Sequence, residues 1–366
     1  MPRHVGWRGW AVAAGTLVLL CHPAAATSSS HTLRTFQYAS PIPSACEAVR
    51  IAGQPAALPF TGIILDPLTS KEQGRPVQFS RGFWGGGPPD PALIDGERRC
   101  LEQVRAGPFP LNLIRVAVLP GMTDWFDDWT PIWDRVDLLG MFMQSGGIRG
   151  IFFDPELYGD HSPVFTYRQQ KYASSRSFEA YARQSFRRGG ELMDRLQRIR
   201  QDIVIVFAFA FEQAWFESLK GTAPARARYG LLPPFLNGVI ARSGRQVQLI
   251  DGYELAYGFR TEVEFVAARQ VFDLAVLPLV DSPERYRARF RLGFGIWLNY
   301  DWQHLGWSAA APERNYYSPE GFTNWLAWAR RYSDGFAWTY TERLDWLDPA
   351  QVPSVYVKIL ATLSGR

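Results

Sequence analysis

The chain contains 366 residues, of which 47% are hydrophobic, so it is long enough to bury one large core. Its 39 basic and 35 acidic side chains give a formal net charge of +4, and the first 26 residues contain two of the arginines and no acid. This near balance argues against nucleic acid as a partner, because phosphate binding needs a concentrated basic face.

The first 26 residues have the pattern of a cleavable signal peptide. Arg3 and Arg8 precede the apolar run Trp10–Leu20, and small residues follow at positions 24–26. The run is shorter than the about 20 residues that a membrane span needs. We therefore expect a secreted or periplasmic protein without stable membrane insertion after cleavage. A lipoprotein anchor at Cys21 is less favoured, because Val-Leu-Leu precedes it rather than a small residue.

After cleavage, the sequence divides into two regions. Residues 27–57 are polar and then contain several prolines, which predicts an N-terminal tail or docking segment, and residues 58–366 are expected to form one domain. Cys46 and Cys100 are the two cysteines that remain. In an oxidising compartment they could pair, and the sequence leaves open whether they do.

Short apolar runs rich in β-branched and aromatic residues alternate with helical patterns along this domain. The predicted strands are Thr61–Asp66, Asn112–Leu119, the apolar run at the start of the stretch Ile148–Asp160, Ile203–Phe211, Val247–Asp251, Phe272–Leu279, Phe290–Leu298 and Gly335–Tyr340. The predicted helices are Ala92–Arg105, Ile132–Gln144, Ser177–Arg200, Ala225–Ala241, Thr261–Gln270, Pro283–Arg289, Pro319–Tyr332 and Pro353–Leu363. Eight strands alternating with helices predict an α/β fold, a (β/α)8 TIM-like barrel. A doubly wound sheet is the alternative, weakened because no glycine-rich dinucleotide fingerprint follows the first strand.

The third predicted strand ends in a pair of acids. Its apolar run ends in Asp154, Pro155 and Glu156, and the proline lacks the N–H that a strand ladder needs. If the chain stays extended, Asp154 and Glu156 share one face, because side chains alternate along a strand. Catalytic residues of barrel enzymes lie at the carboxyl ends of the strands, so we predict that both acids are catalytic. The alternative is a capping aspartate beside a solvated glutamate.

A related pattern follows the fifth predicted strand, where Asp251-Gly-Tyr-Glu254 also pairs two acids and precedes a tyrosine. A barrel brings its strand ends to one mouth, where such carboxyls could approach within the about 5–9 Å that glycoside hydrolysis uses. Glu254 is therefore the first candidate for the second catalytic carboxylate. Glu342, beyond the eighth strand, is the second candidate. Retaining and inverting separations are both compatible with this geometry.

Aromatic and polar side chains near the strand ends predict a carbohydrate-binding surface, because rigid aromatic faces stack on pyranose rings. Several of the tryptophans are expected to serve the core instead. The predicted substrate-binding residues are Asp66, Trp84, Tyr158, Asp251, Tyr257, Trp297, Asn299, Asp301, Trp338 and Tyr340.

The sequence contains few of the motifs and residues that other catalytic mechanisms need. No Gly-x-Ser-x-Gly elbow is present. The few histidines left after cleavage disfavour a catalytic triad or a histidine-rich metal site; they are His31, His161 and His304. A calcium or magnesium site would need the spaced loop pattern that is missing from Asp124, Asp127 and Asp128. We therefore predict no cofactor and no metal.

The acids at several strand ends, the tryptophan-rich mouth and the export signal together resemble the (β/α)8-barrel glycoside hydrolases. Asp154-Pro155-Glu156 is similar to the Asp-x-Glu ending of chitinase-like barrels, where the glutamate is the acid. By the strand count above it falls on strand three rather than four, and the longer upstream acidic motif is missing.

This resemblance implies a secreted or periplasmic glycoside hydrolase that acts on a polysaccharide or oligosaccharide, with Glu156 as the general acid/base. One alternative is a non-catalytic carbohydrate-binding barrel that partners the polysaccharide-export machinery. Another is a different hydrolase or lyase on the same scaffold, such as a metal-dependent one.

Overall fold

The computed structural model describes residues 32–53, 58–119, 121, 123–158, 163–300 and 306–364. The expected signal peptide over residues 1–26 and the predicted ligand-binding residue Asp301 lie outside these ranges. Within them, no helix is both long enough and apolar enough to cross a membrane.

Eight parallel strands form a closed barrel, which confirms the predicted (β/α)8 fold. Numbering all strands in chain order, the barrel contains β1 (Arg34–Ser40), β2 (Gly62–Leu65), β5 (Leu113–Ala117), β6 (Gly150–Asp154), β7 (Val204–Phe207), β8 (Gln248–Asp251), β9 (Phe290–Trp297) and β10 (Phe336–Glu342). Each strand pairs with its neighbours in sequence order, and β1 closes the ring by pairing with both β10 and β2.

Helices surround the barrel and bury their apolar faces on it. They are α1 (Ala45–Ala52), α2 (Phe79–Phe83), α3 (Pro91–Val104), α4 (Thr130–Gly146), α5 (Phe178–Ile199), α6 (Glu212–Leu219), α7 (Leu232–Arg242), α8 (Glu262–Gln270), α9 (Pro283–Arg289), α10 (Pro319–Tyr332) and α11 (Ser354–Ser364). Residues 67–91, between the first predicted strand and the first predicted helix, contain α2 and a hairpin of β3 (Leu68–Glu72) and β4 (Arg75–Gln78). Gln73 and Gly74 close that hairpin with positive φ, as a tight two-residue turn requires.

The first barrel strand comes from the segment predicted to be an N-terminal tail. Phe36 in β1 lies between Trp338 of β10 and Gly62 of β2, so the barrel begins well before residue 58. Both faces of this strand are covered, and the polar Gln37 is buried with the aromatic residues around it. A short segment with buried polar residues lacks the clear alternation of a half-exposed strand, which explains the wrong assignment.

The predicted strand Phe272–Leu279 is wrong, because this segment is helical. It continues α8 as a π-helical turn, Val271–Ala275, and a 3-10 turn, Leu277–Leu279. Asp273 forms an ion pair with Arg269 one helical turn earlier, at 2.8 Å. Pro278 could not have donated to a strand ladder.

The first of these corrections changes the position of the acidic motif in the barrel. Because β1 precedes the strands counted from the sequence, β6 is the fourth strand of the barrel rather than the third. Asp154-Pro155-Glu156 therefore follows the fourth strand, the position that chitinase-like barrels use for their Asp-x-Glu ending.

The pairing of the two cysteines, left open by the sequence, is resolved by the structure. Cys46 in α1 and Cys100 in α3 form a disulfide bond across a separation of 54 residues. This bond ties the segment after β1 to the first long helix of the barrel.

Reduction of this disulfide should lower the free energy of unfolding by about 4 kcal/mol, because the bond closes a long loop in the unfolded chain. Urea unfolding with and without dithiothreitol measures the change. A Cys46→Ser, Cys100→Ser double variant is the control, and its unfolding midpoint should not respond to dithiothreitol. Equal midpoints for oxidised and reduced wild type would contradict the prediction.

Candidate active site

Asp154 is the centre of a buried hydrogen-bond network at the end of β6. Only 2% of its surface is exposed. Its Oδ2 accepts from Arg115 Nη2 at 2.5 Å and from the Tyr158 hydroxyl at 2.8 Å, while its Oδ1 accepts the main-chain N–H of Glu156 at 3.0 Å. The carboxylate therefore fixes the direction in which the chain, and with it Glu156, leaves the strand.

Arg115 connects Asp154 to a second buried acid, Asp66, at the end of β2. Its Nη1 donates to Ser80 Oγ at 3.0 Å and lies 3.8 Å from Asp66 Oδ2. Ser80 in turn donates its hydroxyl and its main-chain N–H to Asp66. Burial raises the pKa of Asp66 to about 6, although the positive charge of Arg115 opposes this shift.

Glu156 lies beside this network and is only partly buried. Burial raises its pKa to about 7, and the negative charge of Asp154 adds to the rise. The neighbouring Tyr158 hydroxyl and the charges of Arg115 and Arg228 oppose it. A carboxyl with this pKa can both donate and accept a proton near neutral pH.

Glu254 is brought toward Glu156 by a tight turn after β8. Tyr253 adopts a left-handed conformation, with φ 42° and ψ 61°, and Glu254 begins the 3-10 turn Glu254–Gly258. Its main-chain N–H donates to Ala208 O, on the neighbouring strand end, at 2.9 Å. Burial raises the pKa of the Glu254 carboxyl well above its usual value, and the charges of Glu156 and Asp154 raise it further. A hydrogen-bonding contact with Tyr257 opposes these effects.

Aromatic rings form a wall beside this carboxyl pair. Tyr257 and Tyr340 stack at 5.8 Å between centroids with an interplanar angle of 24°, and Trp297 meets Tyr340 edge-on at 5.3 Å. All three side chains keep part of their surface accessible. Tyr158, which is 39% exposed, lies near the other carboxyl. The structure thus brings together the predicted residues Asp154, Glu156, Tyr158, Glu254, Tyr257, Trp297 and Tyr340.

Four predicted substrate-binding residues are too deeply buried to contact a ligand. Trp84 has no exposed surface and packs against Trp125 and Trp129, so it belongs to the core between the helices. Trp338 lies beneath the mouth, where its Nε1 donates to Gly252 O at 2.8 Å. The other two, Asp66 and Asp251, have 0% and 3% of their surface exposed and are engaged with other buried groups.

Asn299 lies two residues beyond the end of β9, and Glu342 is the last residue of β10, so both are at the rim of the barrel. The amide of Asn299 donates to the main-chain oxygen of Glu342 at 2.7 Å and accepts its N–H at 3.0 Å, so this predicted ligand-binding group holds the chain instead. Glu342 follows Trp338 and Tyr340 on the same face of β10. Burial raises the pKa of Tyr340, and the charge of Glu342 adds to this rise. The pKa values of Glu156 and Glu254 are instead raised by burial and by other acids, Asp154 for both and also Glu156 for Glu254.

Three residues of this region were not identified from the sequence. Arg115 and Tyr38 face Asp154 from β5 and β1, and burial raises the pKa of the Tyr38 hydroxyl. The third, Glu212, has no exposed surface and contacts Asp251. An arginine within the apolar run Leu-Ile-Arg-Val-Ala was the available signal, because an arginine in a buried strand needs a buried partner.

The acids considered for a cation site serve the protein's own structure. Asp124 accepts from the main-chain N–H of Lys171 and the Tyr181 hydroxyl, and Asp127 accepts from the Lys171 ammonium and the Tyr172 hydroxyl. Across the described part of the chain, no group of three or more acidic, histidine or cysteine side chains is placed to hold a metal ion.

The fold and these side chains define a (β/α)8 barrel with a carboxyl pair and an aromatic wall at its mouth. No protein-family model and no curated protein sequence matches the chain. Solved structures with a similar fold include glycoside hydrolases.

A chitinase domain from Pyrococcus furiosus has 12% identity and a TM-score of 0.44 over 91% of this chain and 95% of that chain. A glucosidase from Croceicoccus marinus has 12% identity and a TM-score of 0.49 over 92% and 67%. An endoglucanase from Bacteroides salanitronis has 10% identity and a TM-score of 0.45 over 87% and 95%. These likenesses concern the fold alone.

Proposed function

We propose that this protein is a glycoside hydrolase in which Glu156 and Glu254 cleave a glycosidic bond of a polysaccharide or oligosaccharide. The observation that carries the proposal is the placement of these two carboxyls after the ends of β6 and β8, beside the aromatic wall. Burial raises the pKa of Glu254, and the negative charge of Glu156 adds to this rise. Two neighbouring carboxyls share one proton more readily than they carry two negative charges. Such a pair then supplies a proton donor and a carboxylate at once, which is what glycoside hydrolysis requires.

Glu156 is the general acid/base of this proposal, because it ends the Asp-Pro-Glu motif on the fourth barrel strand and its pKa of about 7 suits proton exchange. Glu254 is the nucleophile or the base that activates water. Asp154 supports Glu156 through its charge and its contact with the Glu156 main chain. The exposed faces of Trp297, Tyr257 and Tyr340 offer stacking surfaces for a sugar ring.

We further propose that the protein works in the periplasm or outside the cell. The pattern of residues 1–26 supports this location. The disulfide between Cys46 and Cys100 is a second support, because such bonds persist in oxidising compartments.

The direct test is incubation of residues 27–366 with a panel of soluble neutral, amino and acidic polysaccharides. New reducing ends, absent with the Glu156→Gln variant, would support hydrolysis, and NMR of the first-formed anomer would separate retention from inversion. Tight binding of a polysaccharide without new reducing ends would replace this proposal with a carbohydrate-binding barrel serving exopolysaccharide export. Activity abolished by a chelator would favour a metal-dependent hydrolase or lyase.

The pH dependence of kcat/KM should report the Glu156 carboxyl. As a general acid, Glu156 must be protonated, so activity should fall as pH rises through about 7. Replacing Asp154 with asparagine removes a negative charge that raises the Glu156 pKa, so this descending limb should move to lower pH. If the descending limb lies at the same pH in the wild type and in Asp154→Asn, a group other than Glu156 controls activity.

A further inference from the structure

A second pair of carboxyls, Glu212 and Asp251, lies close to the Glu254 turn and is shielded from solvent. Glu212 is the first residue of α6 and Asp251 ends β8, and their exposed fractions are 0% and 3%. Asp251 pairs with Phe207, five residues before Glu212, across the β7–β8 ladder, and each of the two carboxyls affects the pKa of the other. Two carboxylates cannot both remain charged in such surroundings, so this pair needs a proton.

The hydrogen bonds of Glu212 indicate which of its oxygen atoms carries this proton. Its Oε2 accepts the main-chain N–H of Ala210 at 2.9 Å. Its Oε1 is buried and accepts no N–H or O–H from the residues that the structure describes, so it is the oxygen suited to carry a proton. The pKa of Glu212 is raised well above its usual value by burial first and by the charge of Asp251 second.

Asp251 connects Glu212 to the turn that carries Glu254. Its Oδ1 accepts the main-chain N–H of Tyr253 at 3.0 Å, where the backbone has a positive φ that tyrosine rarely adopts. On either side of Tyr253, the N–H of Gly252 donates to Phe207 O and that of Glu254 donates to Ala208 O. An unfavourable backbone conformation persists only where its surroundings hold it in place.

We propose that protonated Glu212, hydrogen-bonded to Asp251, is a positioning residue that holds the Tyr253 turn and thereby orients the Glu254 carboxyl. Glu212 is too deeply buried to touch a substrate, so it acts through the segment 207–212 and Asp251. The inference rests on the proposed function for its catalytic consequence, while the state of the turn can be measured without any substrate.

The test compares Glu212→Met, which fills similar volume without a hydrogen bond, with Glu212→Gln, whose amide can still donate to Asp251 and accept from Ala210. For Glu212→Met we expect kcat about 100-fold lower with little change in KM, because a small displacement of a reacting group has this effect. Amide exchange at Tyr253 and Glu254 should become about tenfold faster, while exchange in β9 stays unchanged. Glu212→Gln should restore kcat and exchange to within about threefold of wild type.

Wild-type exchange and wild-type kcat in folded Glu212→Met would overturn the proposal, and so would Glu212→Gln behaving like Glu212→Met. If Glu212→Met does not fold, Glu212→Asp takes its place, because its shorter side chain cannot span both Asp251 and Ala210. If wild type hydrolyses no glycan, the proposed function fails, and exchange at Tyr253 and Glu254 still decides the positioning role.

Discussion

Replacing Glu156 with glutamine should lower kcat/KM for a natural glycan by about 10²–10⁴-fold, the contribution usual for a general acid. Glutamine has nearly the same shape but cannot protonate the leaving oxygen. The loss should be much smaller for an aryl glycoside whose leaving group needs no proton. For Glu254→Gln the loss should be large with both substrates, because a nucleophile or base is needed whatever the leaving group. Steady-state kinetics with the two substrate types makes the comparison.

The fold of Glu156→Gln should be intact, and the sign of the pKa shift gives the reason. The pKa of Glu156 is raised in the folded protein, so above about pH 7 the wild type holds an unfavourable, partly buried charge that glutamine removes. The free energy of unfolding should therefore be equal or higher in the variant at alkaline pH. Glu342→Gln is the matched control at the rim, and it should keep most of the activity. Equal losses of activity in Glu156→Gln and Glu342→Gln would show that Glu156 is not the general acid.

The barrel could be predicted from the sequence because its determinants are local. Runs such as Gly150–Asp154 and Val204–Phe207 are apolar on both faces, as strands of a parallel barrel must be. The total of eight strands was correct only because two errors cancelled. Residues 34–40 were not recognised as a strand, and the helical segment 271–279 was counted as one.

The candidate site could be predicted only in part, because sequence patterns do not show the depth of a side chain. Glu156 and Glu254 both lie at the mouth, as their position after a strand end predicted. Asp66 and Asp251 also end strands, yet their carboxyls point into the protein, where Arg115 and Glu212 meet them. These partners come from other strands and loops, so no pattern within one segment could reveal them.

Replacing Arg115 with methionine should lower the free energy of unfolding by about 3–5 kcal/mol, the usual cost of removing one partner of a buried ion pair. Arg115 is 8% exposed and bonds Asp154 at 2.5 Å, with Asp66 only 3.8 Å away. Methionine fills most of the volume but leaves two buried acids without their cation. Urea unfolding at neutral pH measures the difference.

Arg149→Met is the matched control, because Arg149 also pairs with an aspartate, Asp202, at 2.8 Å. The side chains of that pair are 40% and 42% exposed, so its loss should cost less than about 1 kcal/mol. Similar destabilisation by the two substitutions would mean that the buried network contributes no more than a surface ion pair.

The destabilisation by Arg115→Met should also depend on pH. The pKa of Asp66 determines whether the loss of stability grows or shrinks as pH rises. The pKa of Asp66 is already raised to about 6 by burial, and removing the opposing charge of Arg115 should raise it further. The folded variant then binds a proton that the unfolded chain releases, so its stability falls as pH rises through this range. The deficit relative to wild type should therefore be smaller near pH 5 than near pH 8. A deficit that is the same at both pH values would show that packing, and not the unpaired carboxyls, accounts for the loss.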